Sequence, residues 1–281
     1  MAYPDTIPIG SDPTELAFRT PIIILCTITI ITGLHLSFQF IKNYFHLHDS
    51  VKGNKMHAAW ASLFLGYSTL SISFVASDFF SIDIHERQVF LQIGYLCLST
   101  GALLFTYYSE KLKIINTRRI FTLVFMILYF GLCGLIITSQ VIYFLGDVAG
   151  FDSIMDITQY STYLFFIPVV LLFFTYFARI NHILPLKLKK FAFIMAASLF
   201  GFTIGFLATT DFVIRSLDIG IVSYFIGVLV QICALGILAY SFLRLPSWRE
   251  LEWREAIHSI FVIYHGGMML FNYDFKETGQ C

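Results

Sequence analysis

The chain alternates between long apolar stretches and short polar connections. About 20 mainly apolar residues are needed for a helix to cross the hydrocarbon core of a bilayer. Seven stretches reach that length, at 21–42, 57–79, 88–108, 120–145, 159–179, 191–214 and 220–243. Their apolar residues run continuously instead of alternating, which favours helices over the strands of a membrane barrel. The pattern predicts an all-α membrane protein built as a bundle of seven transmembrane helices.

The composition supports a membrane location. Apolar residues make up 57% of the chain and charged residues 13%, about half the charged share of a soluble domain. The 18 Lys and Arg residues are balanced by 18 Asp and Glu residues, which excludes the basic stripe that nucleic-acid binding requires. We expect a multi-pass protein of the cell membrane that has the lipid bilayer as its first partner.

The start of the chain does not have the pattern of a signal peptide. Asp5, Asp12 and Glu15 precede the first apolar stretch, and Arg19 is the one basic residue there. A signal peptide begins with basic residues and has a shorter apolar run. We therefore interpret residues 21–42 as a retained span and residues 1–20 as an extracellular segment.

Basic residues predict the orientation. Fifteen of the 18 Lys and Arg residues lie in the connections after the first, third and fifth stretches and in the C-terminal tail. Cytoplasmic loops are enriched in basic residues, so we expect the N-terminus outside and the C-terminus in the cytoplasm. An odd number of spans also places the two ends on opposite sides, in agreement with the charge distribution.

Small residues follow one face of two spans, and such faces let membrane helices approach closely. The second span carries Ala58, Ser62, Gly66, Thr69 and Ser73, and the sixth carries Ala197, Gly201, Gly205 and Thr209. We expect both faces to contact other helices. Pro168 lies inside the fifth span and predicts a kink there.

Four polar residues near the outer ends of the spans are candidates for a ligand site. They are Asp78, Gln92, Gln140 and Asp211. Ionisable groups at membrane depth are functional candidates by default, and together these residues predict a pocket open to the outside. The alternative is that Asp78 and Asp211 are solvated helix ends.

The sequence does not contain the residue patterns that haem binding, retinal binding, redox cysteine pairs or serine hydrolases require. His35 and His57 lie at different depths, which does not fit a haem with two axial histidines. The seventh span contains no Lys for a retinal Schiff base, and neither a CxxC pair nor a GxSxG elbow occurs. We expect no catalytic residue, no metal site and no cofactor, and therefore a protein that is not an enzyme.

A short helix is predicted after the last span. Ser247 and Glu250 form a capping-box pattern at its start. Trp248, Leu251 and Trp253 suit the membrane interface. This helix is either an interfacial anchor or a coupling element that passes movement of the last span to the cytoplasmic side.

The period then changes to that of strands. Residues 258–264 and 268–275 are short apolar runs on either side of His265-Gly266-Gly267, a pattern that predicts a β-hairpin. An isolated hairpin is marginal in water. Residues 245–281 thus form a cytoplasmic linker helix and hairpin, which either begin a larger domain or complete the sheet of a partner.

The stretch IHSIFVIYHGGMMLFNYDF resembles the opening hairpin of longin or roadblock-type domains, and the opening of a PAS-like sensor domain is similar. The order of seven spans, short helix and cytoplasmic module resembles the N-terminal sensor regions of prokaryotic histidine kinases. This second resemblance is one of architecture and has no matched motif, so it implies no role for any particular residue.

These features predict a receptor-like sensor that passes a signal from an extracellular ligand to a cytoplasmic partner or downstream domain. Three alternatives remain. The first is a small-solute transporter or channel, and the second is a lipid-modifying enzyme if His35, Asp78 and Asp211 converge. The third is a scaffold that docks a cytoplasmic protein by strand addition.

Overall fold

A computed structural model describes most of the helical part of the chain and two strands near its end. It covers residues 13–46, 51–81, 84–111, 118–146, 150–151, 153–154, 157–158, 160–161, 168, 171–175, 177–178, 186–210, 221–244, 259–263 and 269–274.

Six long helices are described from end to end. They are α1 (Pro13–His46), α2 (Val51–Val75), α3 (Ile84–Lys111), α4 (Ile120–Phe144), α5 (Leu186–Ala208) and α6 (Ile221–Arg244). All six include a stretch long and apolar enough to cross a membrane. Helices satisfy every backbone hydrogen bond internally, as the bilayer core requires. The chain is therefore a multi-pass membrane protein by length and composition.

The predicted fifth span, 159–179, lies largely outside the described residues. Residues 171–175 and 177–178 of this stretch are helical. Pro168 is helical and buried, but its neighbours on both sides are not described, so the predicted kink stays a prediction.

Helix α1 is longer than the predicted first span. It begins at Pro13, eight residues before the predicted start, and contains Pro21 in its interior. Proline already has a helical φ angle and costs one backbone donor. The described part of the predicted extracellular segment, residues 13–20, is therefore helical.

Helix α2 ends in a π-helical turn, Ala76–Phe80. The backbone amide of Ser81 donates to the carbonyl of Ala76 across 3.0 Å, which closes the wider turn. This turn buries Ser77, Asp78 and Phe79. Single π turns inside helices frequently lie at functional sites.

The six helices contact one another in a series. Contacts run from α4 to α3, α2, α1, α6 and α5 in that order. Phe173 of the described helical residues 171–175 packs against Trp60 of α2 and Phe105 of α3. It also shares a cavity wall with Leu199 of α5. These contacts place Phe173 between α2, α3 and α5.

Glycines lie at two close helix crossings. A Cβ atom at Gly66 of α2 would lie 2.5 Å from the carbonyl oxygen of Cys97 in α3, and one at Gly205 of α5 would lie 2.8 Å from that of Gly227 in α6. The prediction that these small-residue faces contact other helices is confirmed at Gly66 and Gly205. Ala197, from the same predicted face as Gly205, is exposed instead.

Two short strands follow the bundle. Ser259–Ile263 pairs antiparallel with Met269–Asp274, and the register is irregular between Val262 and Ile263. The predicted turn at 265–267 lies outside the described residues.

Candidate functional site

A buried ion pair lies where α2 meets α3. The Nε atom of Arg87, in the first turn of α3, lies 3.1 Å from Oδ1 of Asp78 in the π turn. Asp78 is 3% exposed and Arg87 is 2% exposed. Arg87 is also one of the largest fully buried side chains among the described residues.

Further hydrogen bonds attach this pair to other helices. Tyr224 of α6 donates its hydroxyl to Oδ2 of Asp78 across 3.2 Å, and Ser77 donates to Oδ1 across 3.1 Å. Arg19 of α1 donates to the carbonyl oxygen of Phe79 across 3.0 Å. We call Asp78, Arg87, Tyr224, Ser77 and Arg19 the polar cluster; it joins α1, α2, α3 and α6 at one end of the bundle.

Apolar side chains surround this end. Ile22, Cys26, Ile221 and Val228 form a buried cluster together with Phe79 and Tyr224, and the ring of Phe79 meets that of Tyr224 edge to face. The charges are thus held in an apolar setting, where breaking one partner of an ion pair is costly. Such an arrangement favours a single geometry of the four helices.

A second polar network joins α3 to α4. Gln92 donates to Oγ of Ser139 across 2.9 Å, and Gln140 donates to Oε1 of Gln92 across 2.8 Å. Nε2 of His85 lies 3.4 Å from the side-chain Oε1 of Gln140, and the His85 ring stacks on Tyr143 at a centroid distance of 3.5 Å. The amide side chains of Gln92 and Gln140 pair here across a helix interface.

A third contact lies deeper in the bundle. Tyr67 of α2 donates to Oε1 of Gln231 in α6 across 2.6 Å. A cavity of about 20 Å³ beside it is lined by both residues together with Thr29, Ser71 and Tyr224. Its size suits one water molecule, and its polar wall runs from the Tyr67–Gln231 bond to Tyr224 of the polar cluster.

The predicted site residues fall into separate groups. Gln92 and Gln140 contact each other, whereas the contacts of Asp78 are with Arg87, Tyr224 and Ser77. Asp211 lies outside the described residues, as do Trp248, Leu251 and Trp253 of the predicted coupling helix. The alternative that Asp78 is a solvated helix end is wrong, because Arg87 and Tyr224 replace water around its carboxylate.

Several residues of these networks were missed by sequence reasoning. From the sequence, no site role was assigned to Arg87, Tyr67, Tyr224 or Ser139. One signal was present for Arg87, because opposite charges nine residues apart flank the short connection between two spans. The tyrosines carry no such signal, since their partners are more than 140 residues away in the chain.

The two histidines considered as haem ligands, His35 and His57, have different surroundings. His35 is exposed on α1 and its ring nitrogen lies 2.8 Å from the amide nitrogen of Gln39. His57 packs against Phe40. Within the described residues, no group of three or more His, Cys, Asp or Glu side chains is placed to bind a metal ion.

A scan against protein-family models, a search of curated proteins and a search of solved structures each find no match to this chain. The resemblances to histidine-kinase sensor regions and to longin or roadblock domains therefore stay predictions from the sequence.

Proposed function

We propose that this protein is a receptor-like membrane sensor in which the polar cluster holds the helices in one of two arrangements. The observation that carries the proposal is the hydrogen bond from Tyr224 to Asp78. It attaches α6, the helix that leads to the C-terminal tail, to an ion pair shared by α2 and α3.

The physical basis of the proposal is that a buried ion pair is either formed or broken, with no stable state between. Separating the partners of a buried ion pair is costly, because each charge is then left unpaired in apolar surroundings. Packed helices accordingly shift between distinct arrangements instead of deforming gradually. A ligand that binds one arrangement better shifts the population toward it. Because Tyr224 is near the start of α6, a change at the polar cluster is passed along this helix to its other end.

The topology of the proposal has seven spans, an extracellular N-terminus and a cytoplasmic C-terminus in the cell membrane. The distribution of basic residues supports this topology. In the proposal, residues 159–179 are the fifth span in chain order and bring the six described helices to a total of seven. Epitope tags at the two ends test this topology. In sealed right-side-out vesicles, the topology is supported if only the N-terminal tag is accessible to antibody. It is contradicted if both tags are accessible or both are protected.

The signalling step is tested at the far end of α6. Spin labels are placed at the exposed positions Lys111 of α3 and Tyr240 of α6, in a full-length chain without its native cysteines. The Tyr224→Phe variant keeps the ion pair and removes its bond to α6. In this variant we expect the distribution of distances between the labels to broaden, or its mean to shift by about 1–2 Å, the size of helix shifts in switching proteins.

A matched control is Tyr44→Phe, which removes a hydroxyl from an exposed tyrosine of α1. This control should leave the distance distribution unchanged. If Tyr224→Phe also leaves it unchanged, the polar cluster does not set the position of α6 and the proposal fails.

A second candidate function rests on the paired strands. Within the described residues the sheet has two strands, and exposed strand edges accept a further strand from another protein. In this scaffold function, the tail docks a cytoplasmic partner without any change in the bundle. Partner binding that is equal in wild-type and Tyr224→Phe protein would favour it over the sensor.

A further inference from the structure

An apolar cavity lies inside the bundle, away from the polar cluster. It has a volume of about 90 Å³ and lies between α2, α3, α5, α6 and helical residue Phe173. Its walls are mainly aromatic and aliphatic, and include Trp60, Phe64, Phe202 and Leu235. An unfilled space of this kind is unfavourable, because the atoms around it lose dispersion contacts on one side.

Exposed apolar side chains lie close to this cavity. A second cavity of about 40 Å³ shares the walls Phe173, Leu199 and Thr203 with the first. It extends to Phe174 and Phe200, which are 63% and 54% exposed. The shared wall therefore places the interior cavity close to exposed side chains at residues 171–175 and α5.

The chemistry of the walls selects the occupant. No charged side chain lines either cavity within the described part of the chain. The three hydroxyls that do are already donors to the protein: Tyr67 to Gln231, Ser99 to the carbonyl of Tyr95, and Thr203 to the carbonyl of Leu199. A ligand with several polar groups would lose more hydrogen bonds to water than these mainly apolar walls replace, whereas a hydrocarbon has no hydrogen bonds to lose.

We propose that this cavity binds a small uncharged hydrocarbon group that enters sideways from the bilayer, either the end of a lipid acyl chain or a free apolar molecule. A dry apolar cavity of roughly 150 Å³ inside a protein binds benzene, and the two adjoining cavities are suited to a group of similar or smaller size. Binding does not depend on the proposed sensor function.

The site has a direct path to the polar cluster. Tyr67 lines the apolar cavity and also the small polar cavity, whose wall includes Tyr224. A hydrocarbon packed against the Tyr67 ring therefore acts on the Tyr67–Gln231 bond between α2 and α6. If the protein is a sensor, the bound hydrocarbon is then the signal that it detects.

Trp60 allows a direct measurement because it lines the cavity and is 1% exposed. The chain has three tryptophans, so Trp248→Phe and Trp253→Phe leave Trp60 as the single emitter. The full-length protein is placed in vesicles of dioleoylphosphatidylcholine, of the same lipid with brominated acyl chains, or of the unbrominated lipid with added bromobenzene. We expect a bromine-bearing occupant of the apolar cavity to cause a loss of Trp60 emission, because bromine quenches tryptophan fluorescence at contact distance.

Cavity-filling variants separate binding from quenching through the protein surface. Ala102→Leu fills the cavity wall from α3, and Leu104→Phe is the matched control, since Leu104 is exposed on the same helix. Ala102→Leu should abolish most of the quenching, and Leu104→Phe should not. Thr203→Leu, at the wall shared by both cavities, gives a second variant if Ala102→Leu does not fold.

The two probes distinguish the sources of the hydrocarbon. Quenching by brominated lipid that the filling variants abolish supports an acyl chain, and quenching by bromobenzene alone that they abolish supports a free molecule. If neither probe gives quenching that the filling variants reduce, the cavity does not bind hydrocarbon and the inference is overturned. Label distances between Lys111 and Tyr240 are measured separately, so a failure of signalling is distinguishable from a failure of binding.

Discussion

The Oδ1 atom of Asp78 accepts a hydrogen bond from Nε of Arg87 across 3.1 Å, and both side chains are buried. Asp78 belongs to the π turn at the end of α2, and Arg87 to the first turn of α3. The pair therefore clamps two consecutive spans at the place where the chain reverses direction.

Breaking this pair should be costly. We expect Asp78→Ala to lower the free energy of unfolding by about 3–5 kcal/mol, because Arg87 is then a buried charge without its carboxylate. The double variant Asp78→Leu with Arg87→Leu should cost less than the sum of the single changes. Unfolding in mixed micelles measures these differences, and Glu86→Gln, at an exposed acid one residue from Arg87, is the control. Additive effects would contradict the coupling.

The effect of a glycine-to-alanine change on stability should depend strongly on the position of the glycine. A methyl group at Gly205 would meet the backbone of Gly227 at 2.8 Å, whereas nothing lies within 4 Å of one at Gly131. We expect Gly205→Ala to destabilise the fold by about 1–3 kcal/mol, since a backbone must move to admit the methyl group. Gly131→Ala should be neutral or stabilising by up to about 1 kcal/mol, through helix propensity. The same unfolding assay decides between them, and equal effects would argue against the close approach of α5 and α6.

The amide network between α3 and α4 should contribute modestly. Gln92→Leu removes hydrogen bonds to Ser139 and Gln140. Hydrogen bonds between membrane helices average about 0.6 kcal/mol and reach about 1.7 kcal/mol, so we expect a loss in that range. Gln39→Leu provides the comparison because Gln39 is exposed on α1. A larger loss for Gln39→Leu would show that the network does not hold the two helices together.

Glu110 should protect the start of α4. Its carboxylate accepts the backbone amides of Phe121 and Thr122 at 3.0 and 2.9 Å, and it is 7% exposed. These amides have no partner inside their own helix. We expect Glu110→Ala to cost about 0.5–2 kcal/mol, as the loss of a helix cap does.

Hydrogen exchange at the first turn of α4 measures this effect most directly. Exchange at Phe121 and Thr122 should accelerate in Glu110→Ala protein, while Glu86→Ala, at an exposed acid of the same helix as Glu110, should leave it unchanged. Unchanged exchange in both variants would mean that the carboxylate does not cap α4.

The helical framework was predictable from the chain because bilayer thickness sets the length of each apolar run. The close approach at Gly66 was predictable for a similar reason, since a repeat of small residues marks a face without bulky side chains. The eight helical residues before the predicted first span were not anticipated, because hydropathy marks the part of a helix that suits lipid and not where the helix begins.

The candidate site was only partly predictable. Asp78, Gln92 and Gln140 were identified as polar groups at membrane depth, and Gln92 and Gln140 do contact each other. The pairing of Asp78 with Arg87 depends on a π turn, whose single extra residue rotates the following side chains and leaves no hydropathy signal. The tyrosines were missed because a tyrosine in an apolar run is equally suited to lipid, core packing or a buried hydrogen bond.

By itself, the sequence determined that the chain is a multi-pass helical membrane protein, because the cost of placing unpaired backbone groups in hydrocarbon leaves helices as the only use for such long apolar runs. The tertiary structure alone decided which polar groups meet. Asp78 reaches Tyr224 across 146 residues of chain, and a contact of that kind depends on the rotation and depth of each helix. Those are set by side-chain packing between helices and not by the apolar content of any one of them.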